Sequence, residues 1–533
     1  MSRNARLIVL VIILWVLFPF LYESKAQDKG GTLHCLEKDI PDSYDPITSR
    51  NMAALRLTEL IFESLLSETK WGFEGRLADR WELSQDSLEI TFYLKQNVNW
   101  CEVGSDGVTT TTRPFTADDV LYTYRLIKNK KTDTDPYNRE LLRDVLEPKI
   151  LNPHTIRFKF KKKQIRPEES FTFKVVPRYK IPGDFITRAD AFTTSPVGTG
   201  YYVLFKDFGS EKILKVNETH YDRRANIDKI EMDYYADESI LSDAALLTKE
   251  ISAVIEARIK DIAKFQSSGQ YEIRRYAPLS FDYIGYNLKD PLFSDKRVRQ
   301  ALTHAIDRER ILRVQFLDKG KVISGPYPPG SPLNNPDVDC FPYDTVVAKR
   351  LLKEAGFQEI GGEWVKGGRK LAFKLTVAAE QNEPAWSTAE HIKDYWKNIG
   401  VEVNLKKVTW PAWWKTVYED RDFEATYGRW RCDRASNICP LYTRGDEKNY
   451  ISYYDPAVDS LIHLLADIAV PEERRVINWQ LHEILARDCP YTFLWTLYRH
   501  AAVSKKVKRS DMIHHFNFFN YIKEWWIPEE WQK

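Results

Sequence analysis

The chain has 533 residues, too many for one ordinary hydrophobic core and suited to two or three domains. Charged residues make up 29% and hydrophobic residues 43%, a globular composition. Seventy-eight basic against 76 acidic side chains leave a net charge of +2, without the basic excess of a nucleic-acid binder. Aromatics reach 13%, with 16 Trp and 28 Tyr, residues whose broad faces suit ligand clefts as well as cores.

At the N-terminus, Arg3 and Arg6 precede the apolar run Leu7–Tyr22, followed by Ser24-Lys25-Ala26. That is the pattern of a secretory signal peptide, residues 1–26, cut after Ala26. The run falls short of the ~20 residues needed to span a bilayer. No cysteine stands at the cleavage point for a lipid anchor. Export gives meaning to the six cysteines, Cys35, Cys101, Cys340, Cys432, Cys439 and Cys489. An even count suits disulfides, and Cys432 with Cys439 is the pair close enough to staple one loop. The connectivity of the other four stays open.

Along the mature chain, period-two alternation predicts strands at Leu88–Leu94, Ile156–Phe160 and Phe373–Val377. Thr116 and Asp119 form a capping-box pair, with Phe115 and Val120 as the ends of a hydrophobic staple, so a helix starts there. Phe293 to Leu312, "FSDKRVRQALTHAIDRERIL", places Val298, Ala301, Leu302, Ala305, Ile306 and Leu312 on one helical stripe. Its arginines fall mostly off that stripe, so the sequence predicts a solvated or interdomain basic face with local acidic partners such as Asp295. Asp344–Gly356 is a further helix stopped by its glycine. Leu371–Ala378, Ala385–Ile399 and Val401–Lys407 read as strand, helix and strand, a parallel pair with a crossover.

Catalytic and cofactor motifs are missing. There is no G-x-S-x-G elbow and no P-loop. Gly198-Thr199-Gly200 is too short for a dinucleotide fingerprint. His482-Glu483 has Ala486 where a zinc-protease helix needs its second histidine, and His514-His515 would point to opposite faces of a strand. The sequence therefore predicts neither a cofactor nor a metal, and no enzymatic activity.

Five stretches, in order, resemble the family 5 extracellular solute-binding proteins, the oligopeptide- and dipeptide-binding components of ABC importers. Tyr44-Asp45-Pro46 with Leu60-Ile61-Phe62-Glu63-Ser64-Leu65 looks like that family's "LDP…LFEGL". Phe115–Val120 looks like its "FTAEDV", and Pro196–Tyr201 like its "PVGTGPY". Phe293–Arg308 resembles "F-x-D-x-R-V-R-x-A…A-I-D-R", and Ala348–Phe357 resembles "AKxLLxEAGY".

The resemblance implies an α/β fold, the two-lobed clamshell of a periplasmic binding protein with an additional inserted domain. Lobe one would combine 27–66, 193–283 and 505–533; the inserted domain would be 67–192; lobe two would be 284–504. It implies a periplasmic monomer that captures peptides or peptide-like solutes between its lobes and hands them to the permease subunits of a membrane ABC transporter. Trp430-Arg431-Cys432-Asp433 matches the family's W-x-x-D turn, whose aspartate pairs with a peptide α-amine, so Asp433 is the expected anchor. An ammonium shut away from water needs such a counter-charge. Trp414 and Arg421 resemble cleft-lining positions of oligopeptide binders, Tyr427, Arg429 and Trp430 belong to the same segment, and Ser49, Arg50 and Asn51 fall where lobe one would touch the ligand. The chain departs from the family's "D-Y-x-x-P", since Arg434 to Cys439 follows Asp433, and Arg429 and Arg431 flank Trp430 as competing partners for the carboxylate. Alternatives are an oligosaccharide binder on the same fold, with the tryptophans near 410–430 as stacking platforms, and a secreted hydrolase on another scaffold. A sensory or chaperone-like role is not separable by sequence.

Overall fold

The structure, a computed structural model, describes residues 28–532 apart from 70–71, 105–106, 191, 193–194, 236–237, 249, 277–279, 380–383, 432–436, 469 and 512–516. The signal segment and His514-His515 therefore lie outside the described residues.

Two large mixed sheets organise the chain. One has seven strands in the order 202–207, 211–216, 229–234, 32–37, 253–254, 499–504, 271–276. Thr32–Glu37 runs parallel to both of its neighbours, and the remaining pairs are antiparallel. The other has six strands in the order 320–322, 491–497, 280–286, 425–431, 372–378, 402–408. Its last three strands are parallel, and the predicted strand–helix–strand unit supplies the final pair through the helix Pro384–Asn398.

The chain passes from the first sheet to the second between Tyr276 and Ser280, and returns between Leu497 and Arg499. Strand Ser280–Tyr286 thus sits in the six-stranded sheet and Arg499–Ser504 in the seven-stranded one. Both crossings fall a few residues before the lobe boundaries expected from sequence. Between the first helix, Met52–Ile61, and residue 192, a four-stranded sheet (78–83, 89–94, 155–159, 149–152) and two hairpins form a further unit. One continuous apolar core joins that unit to a face of the seven-stranded sheet. The two faces of the six-stranded sheet carry separate cores, one rich in aliphatic side chains and one in tyrosine.

The sequence motifs acquire physical roles. Asp45 is buried and accepts from the backbone N–H groups of Ile47 (3.1 Å) and Thr48 (3.0 Å), which makes the D-P segment a tight turn before the first helix. Asp119 accepts from Thr116 N (3.0 Å), and Phe115 and Val120 are both buried, in keeping with the capping pattern. Gly198 and Gly200 press the backbone against the end of the first helix: Gly200 N donates to Ile61 O (2.9 Å), and a Cβ at Gly198 would overlap that carbonyl oxygen.

The arginine-rich stretch differs from its reading. It forms two helices, Lys296–His304 and Arg308–Phe316, broken where Asp307 caps the second by accepting from Arg310 N (2.9 Å). The apolar stripe is buried throughout, but so are two of the arginines. Arg299 donates to Phe293 O (2.6 Å), Asp488 O (2.6 Å) and Cys489 O (2.9 Å), which gathers the carbonyls ending the helix Pro471–Asp488. Arg308 donates to the carbonyls of Phe493 (2.5 Å) and Phe341. These guanidiniums cross-link backbone instead of facing solvent, and Asp295 takes Arg297 as its ion-pair partner. Cys35, Cys101, Cys340, Cys439 and Cys489 are free thiols.

Candidate ligand-binding cleft

Both crossings and the end of strand Ala425–Arg431 lie at one place. Arg431 is in register with Ser280, the first residue after one crossing, and Trp495, three residues before the other, is in register with Asp282. Strand Ala425–Arg431 thus ends where the two bodies join. Asp433 and Cys432 themselves lie outside the described residues. Cys439, the other half of the expected staple, is buried, and burial pushes its thiol up to about 12.

Strand 425–431 presents its two faces to different tasks, as the two-residue period of a strand demands. Tyr427 and Arg429 point toward Asp282 on the neighbouring strand. The Asp282 carboxylate, 1% exposed, accepts from the Tyr427 hydroxyl (2.7 Å), Arg429 Nη2 (2.9 Å), Arg429 Nε and the Trp495 indole (3.1 Å). One carboxylate therefore binds three strands at the junction. Trp430, on the opposite face, stacks on Tyr283 (6.1 Å between ring centres) and leans on Tyr450 (5.8 Å). Gly428 makes room for this arrangement, since a Cβ there would overlap the Tyr283 hydroxyl. The Tyr283 and Tyr450 hydroxyls are bonded to each other at 2.6 Å. Tyr427 and Trp430 are thus built into the sheet, and Arg429 is tied to Asp282 while keeping 38% of its side chain exposed.

Trp414 begins a π-helical turn, Trp414–Glu419, a local widening often found at functional sites. Its ring is 40% exposed and stacks on Tyr418 at 4.1 Å, and its indole donates to Glu419 Oε1 (3.1 Å). Arg421 holds a left-handed backbone (φ 56°) and has no ion-pair partner among the described residues. On the seven-stranded side, Ser49 is buried and donates to Asp45 O (2.5 Å). Asn51 caps the first helix, accepting from Ala54 N (2.8 Å). Arg50 is exposed and paired with Asp133 at 2.5 Å. Of these three, only Arg50 presents an exposed polar head.

The unit 67–192 reaches across to the six-stranded body. Lys448 Nζ meets Glu140 Oε1 (3.3 Å), Lys163 meets Asp467, and Ile165 packs against the tyrosine-rich core. Burial, with the carboxylates of Glu447, Asp446 and Glu140 nearby, pushes the Tyr418 phenol up to about 12. Burial likewise pushes Glu169 up to about 7, against the opposing pull of Arg166. A cavity of about 120 Å3 is walled by Pro46, the first helix, Ser64, Leu66–Glu68, Tyr137, Asn138, Thr172–Lys174, Asn517 and Asn520. Sequence reasoning finds neither this cavity nor Asp282. Both arise from partners far apart in the chain, and no local spacing marks them.

Residues 72–449 match the family described as bacterial extracellular solute-binding proteins, family 5 middle. The chain belongs to that family. Among its relatives is the oligopeptide-binding protein AppA of Bacillus subtilis (strain 168), 25% identical over 523 residues, covering 94% of this chain and 92% of the relative. Heme-binding protein A of Haemophilus influenzae is 24% identical over 520 residues, covering 91% and 90% of the two chains. The AppA structure in complex with a nonapeptide superposes with a TM-score of 0.70 at 23% identity, over 94% of this chain and 100% of that one. HbpA2 from Haemophilus parasuis gives 0.79 at 21% identity, over 90% and 96%. These likenesses establish the two-lobed α/β fold. Among the described residues no helix is long and apolar enough to cross a membrane.

Proposed function

We propose that this family 5 protein is exported through the signal segment 1–26, captures peptides between its two sheet-centred bodies and delivers them to the permease of an ABC importer, breaking no bond. The observation that carries the reading is the junction. Two chain crossings and the end of strand Ala425–Arg431 coincide, so a segment leading to Asp433 starts where a closing cleft would have its hinge. The lobes then divide between Tyr276 and Ser280 and at Tyr498, with the unit 67–192 attached to lobe one through their shared core. Closure is a hinge motion that a bound ligand favours by contacting both lobes.

In this reading Asp433 neutralises the α-ammonium of the peptide. The charge of Arg429, its competitor in sequence, is already met by Asp282. Arg421, without an ion-pair partner among the described residues, is the proposed receiver of a ligand carboxylate. Relatives named for oligopeptide and dipeptide binding support the substrate class. Calorimetry tests it: a free tripeptide binds, and N-acetylation or Asp433→Ala weakens binding at least tenfold, about the worth of one charge-assisted contact. Equal affinity for free and acetylated peptides would remove Asp433 from its role.

One observation favours a second ligand class. Trp410, 60% exposed, stacks on the buried Trp413 at 5.0 Å with nearly parallel rings, and Trp414 lies beside Trp410 with its ring tilted by 53°. Flat aromatic faces of this kind suit sugar rings, and tryptophan fluorescence titrated with oligosaccharides tests that reading.

A further inference from the structure

The cavity beside the first helix bears on which peptides are taken, a selectivity that rests on the peptide-binding function proposed for the cleft. Leu55, Leu66 and Phe173 supply apolar lining. Four charged side chains line it, and each is already committed. Glu59 pairs with Lys174 at 2.5 Å. Glu68 pairs with Arg166 at 2.6 Å. Arg56, 2% exposed, is held by Glu37 at 2.5 Å and by Glu256.

Four of the hydroxyls are committed as well, that of Ser67 to Asn520 Oδ1 (3.3 Å), while Asn520 Nδ2 and Arg56 Nε are buried without a hydrogen-bond partner among the described residues. Ser64 donates to Leu66 O (2.7 Å), Thr58 to Leu55 O (3.1 Å) and Thr172 to Glu169 O (2.9 Å). At about 120 Å3 the space is close to that of an engineered apolar cavity of roughly 150 Å3 that holds benzene, so it has room for about one side chain. Its wall includes Tyr137 and Asn138, two residues before Glu140, whose carboxylate meets Lys448 of the six-stranded body.

We infer that this cavity receives one uncharged side chain of the bound peptide and rejects charged ones at that position. A lysine or glutamate entering it would leave water and find every counter-charge taken. To pair, it would have to break the Glu59–Lys174 bridge and orphan one partner, and a buried charge without a partner is the most costly arrangement available. Leucine or methionine would instead meet Leu55 and Phe173, and glutamine would carry no net charge to compensate.

The test is a calorimetric scan of synthetic peptides in which each position in turn is Leu, Gln, Glu or Lys. At one position Leu and Gln are expected to bind at least tenfold more tightly than Glu and Lys. The preference should then invert selectively. Lys174→Met frees Glu59 and should raise the affinity of the Lys peptide at least tenfold relative to Leu, while Glu59→Gln should do the same for the Glu peptide. The double variant E59Q/K174M carries no orphaned charge and should keep the uncharged preference, which separates altered selectivity from damaged folding. Charged and uncharged peptides binding alike at every position, or variants that bind with unmoved preference, would overturn the inference. Failure of every peptide to bind the unaltered protein would overturn the peptide reading itself, and the selectivity with it.

Discussion

Removing the Asp282 carboxylate should unlatch three strands at once. The group is 1% exposed and accepts from the Tyr427 hydroxyl, two Arg429 nitrogens and the Trp495 indole. In Asp282→Ala the Tyr427 hydroxyl and Trp495 indole become buried donors without that acceptor, each costing about 1–3 kcal/mol. Arg429 adds less, because its side chain is 38% exposed and water replaces much of the lost partner; about 1 kcal/mol or below is its share. The total comes to about 2–7 kcal/mol. Asp282→Asn keeps the volume and one acceptor oxygen, so its cost should be about half. Urea unfolding followed by tryptophan fluorescence reads the transition, since Trp495 and Trp430 belong to this sheet. An alanine variant within about 0.5 kcal/mol of the parent protein would show that Asp282 does not hold the junction together. Freed from Asp282, Arg429 would also compete for Asp433, so weaker peptide binding should accompany the instability.

Gly198→Ala should cost about 3 kcal/mol, the upper range of overpacking, because the new methyl meets a backbone carbonyl at Ile61 that cannot move aside; urea unfolding checks it, and a neutral result would contradict the packing role of the motif. His482 is fully buried, its Nδ1 accepting from Asn335 N (3.0 Å) and its Nε2 3.0 Å from Ser324 Oγ, and burial lowers its pKa to about 4. Between about pH 6.5 and 4 the unfolded chain therefore takes up a proton that the folded chain refuses, so this residue's contribution to stability falls as the pH drops. Comparing the parent with His482→Asn, the stability difference should shift by about 2 kcal/mol against the parent from about pH 7 to about pH 5, and a constant difference would refute the burial argument. The comparison cancels the opposite slope of Asp45, whose burial raises its pKa to about 6.

Local signals are legible where the physics is local. The cap at Thr116, the helix Asp344–Gly356 with its glycine stop and the strand–helix–strand unit 372–408 depend on neighbours within a few residues, and the structure forms each of them. Arg299 and Arg308 escape a sequence reading for the opposite reason. Their partners are carbonyls up to 190 residues away, and a helical wheel cannot show that an arginine off the apolar stripe will be enclosed by the end of another helix. The strand bearing Tyr427, Arg429 and Trp430 is marked by its tryptophan motif, but its tie to Asp282 is hidden, since Asp282 carries no motif. Ser49 and Asn51 sit in a recognisable segment, yet their side chains complete a turn and a helix cap. The self-paired cavity is invisible because each of its charges looks, in sequence, like any other surface residue.

Native mass spectrometry of the mature protein, purified from its own envelope without unfolding, tests the central claim most directly. A peptide binder closed around cargo should carry adduct masses that release as intact, uncleaved peptides on collisional activation, and should rebind them after stripping. A bare chain that also leaves a peptide mixture unbound, or one that returns the peptides cut, would contradict the account.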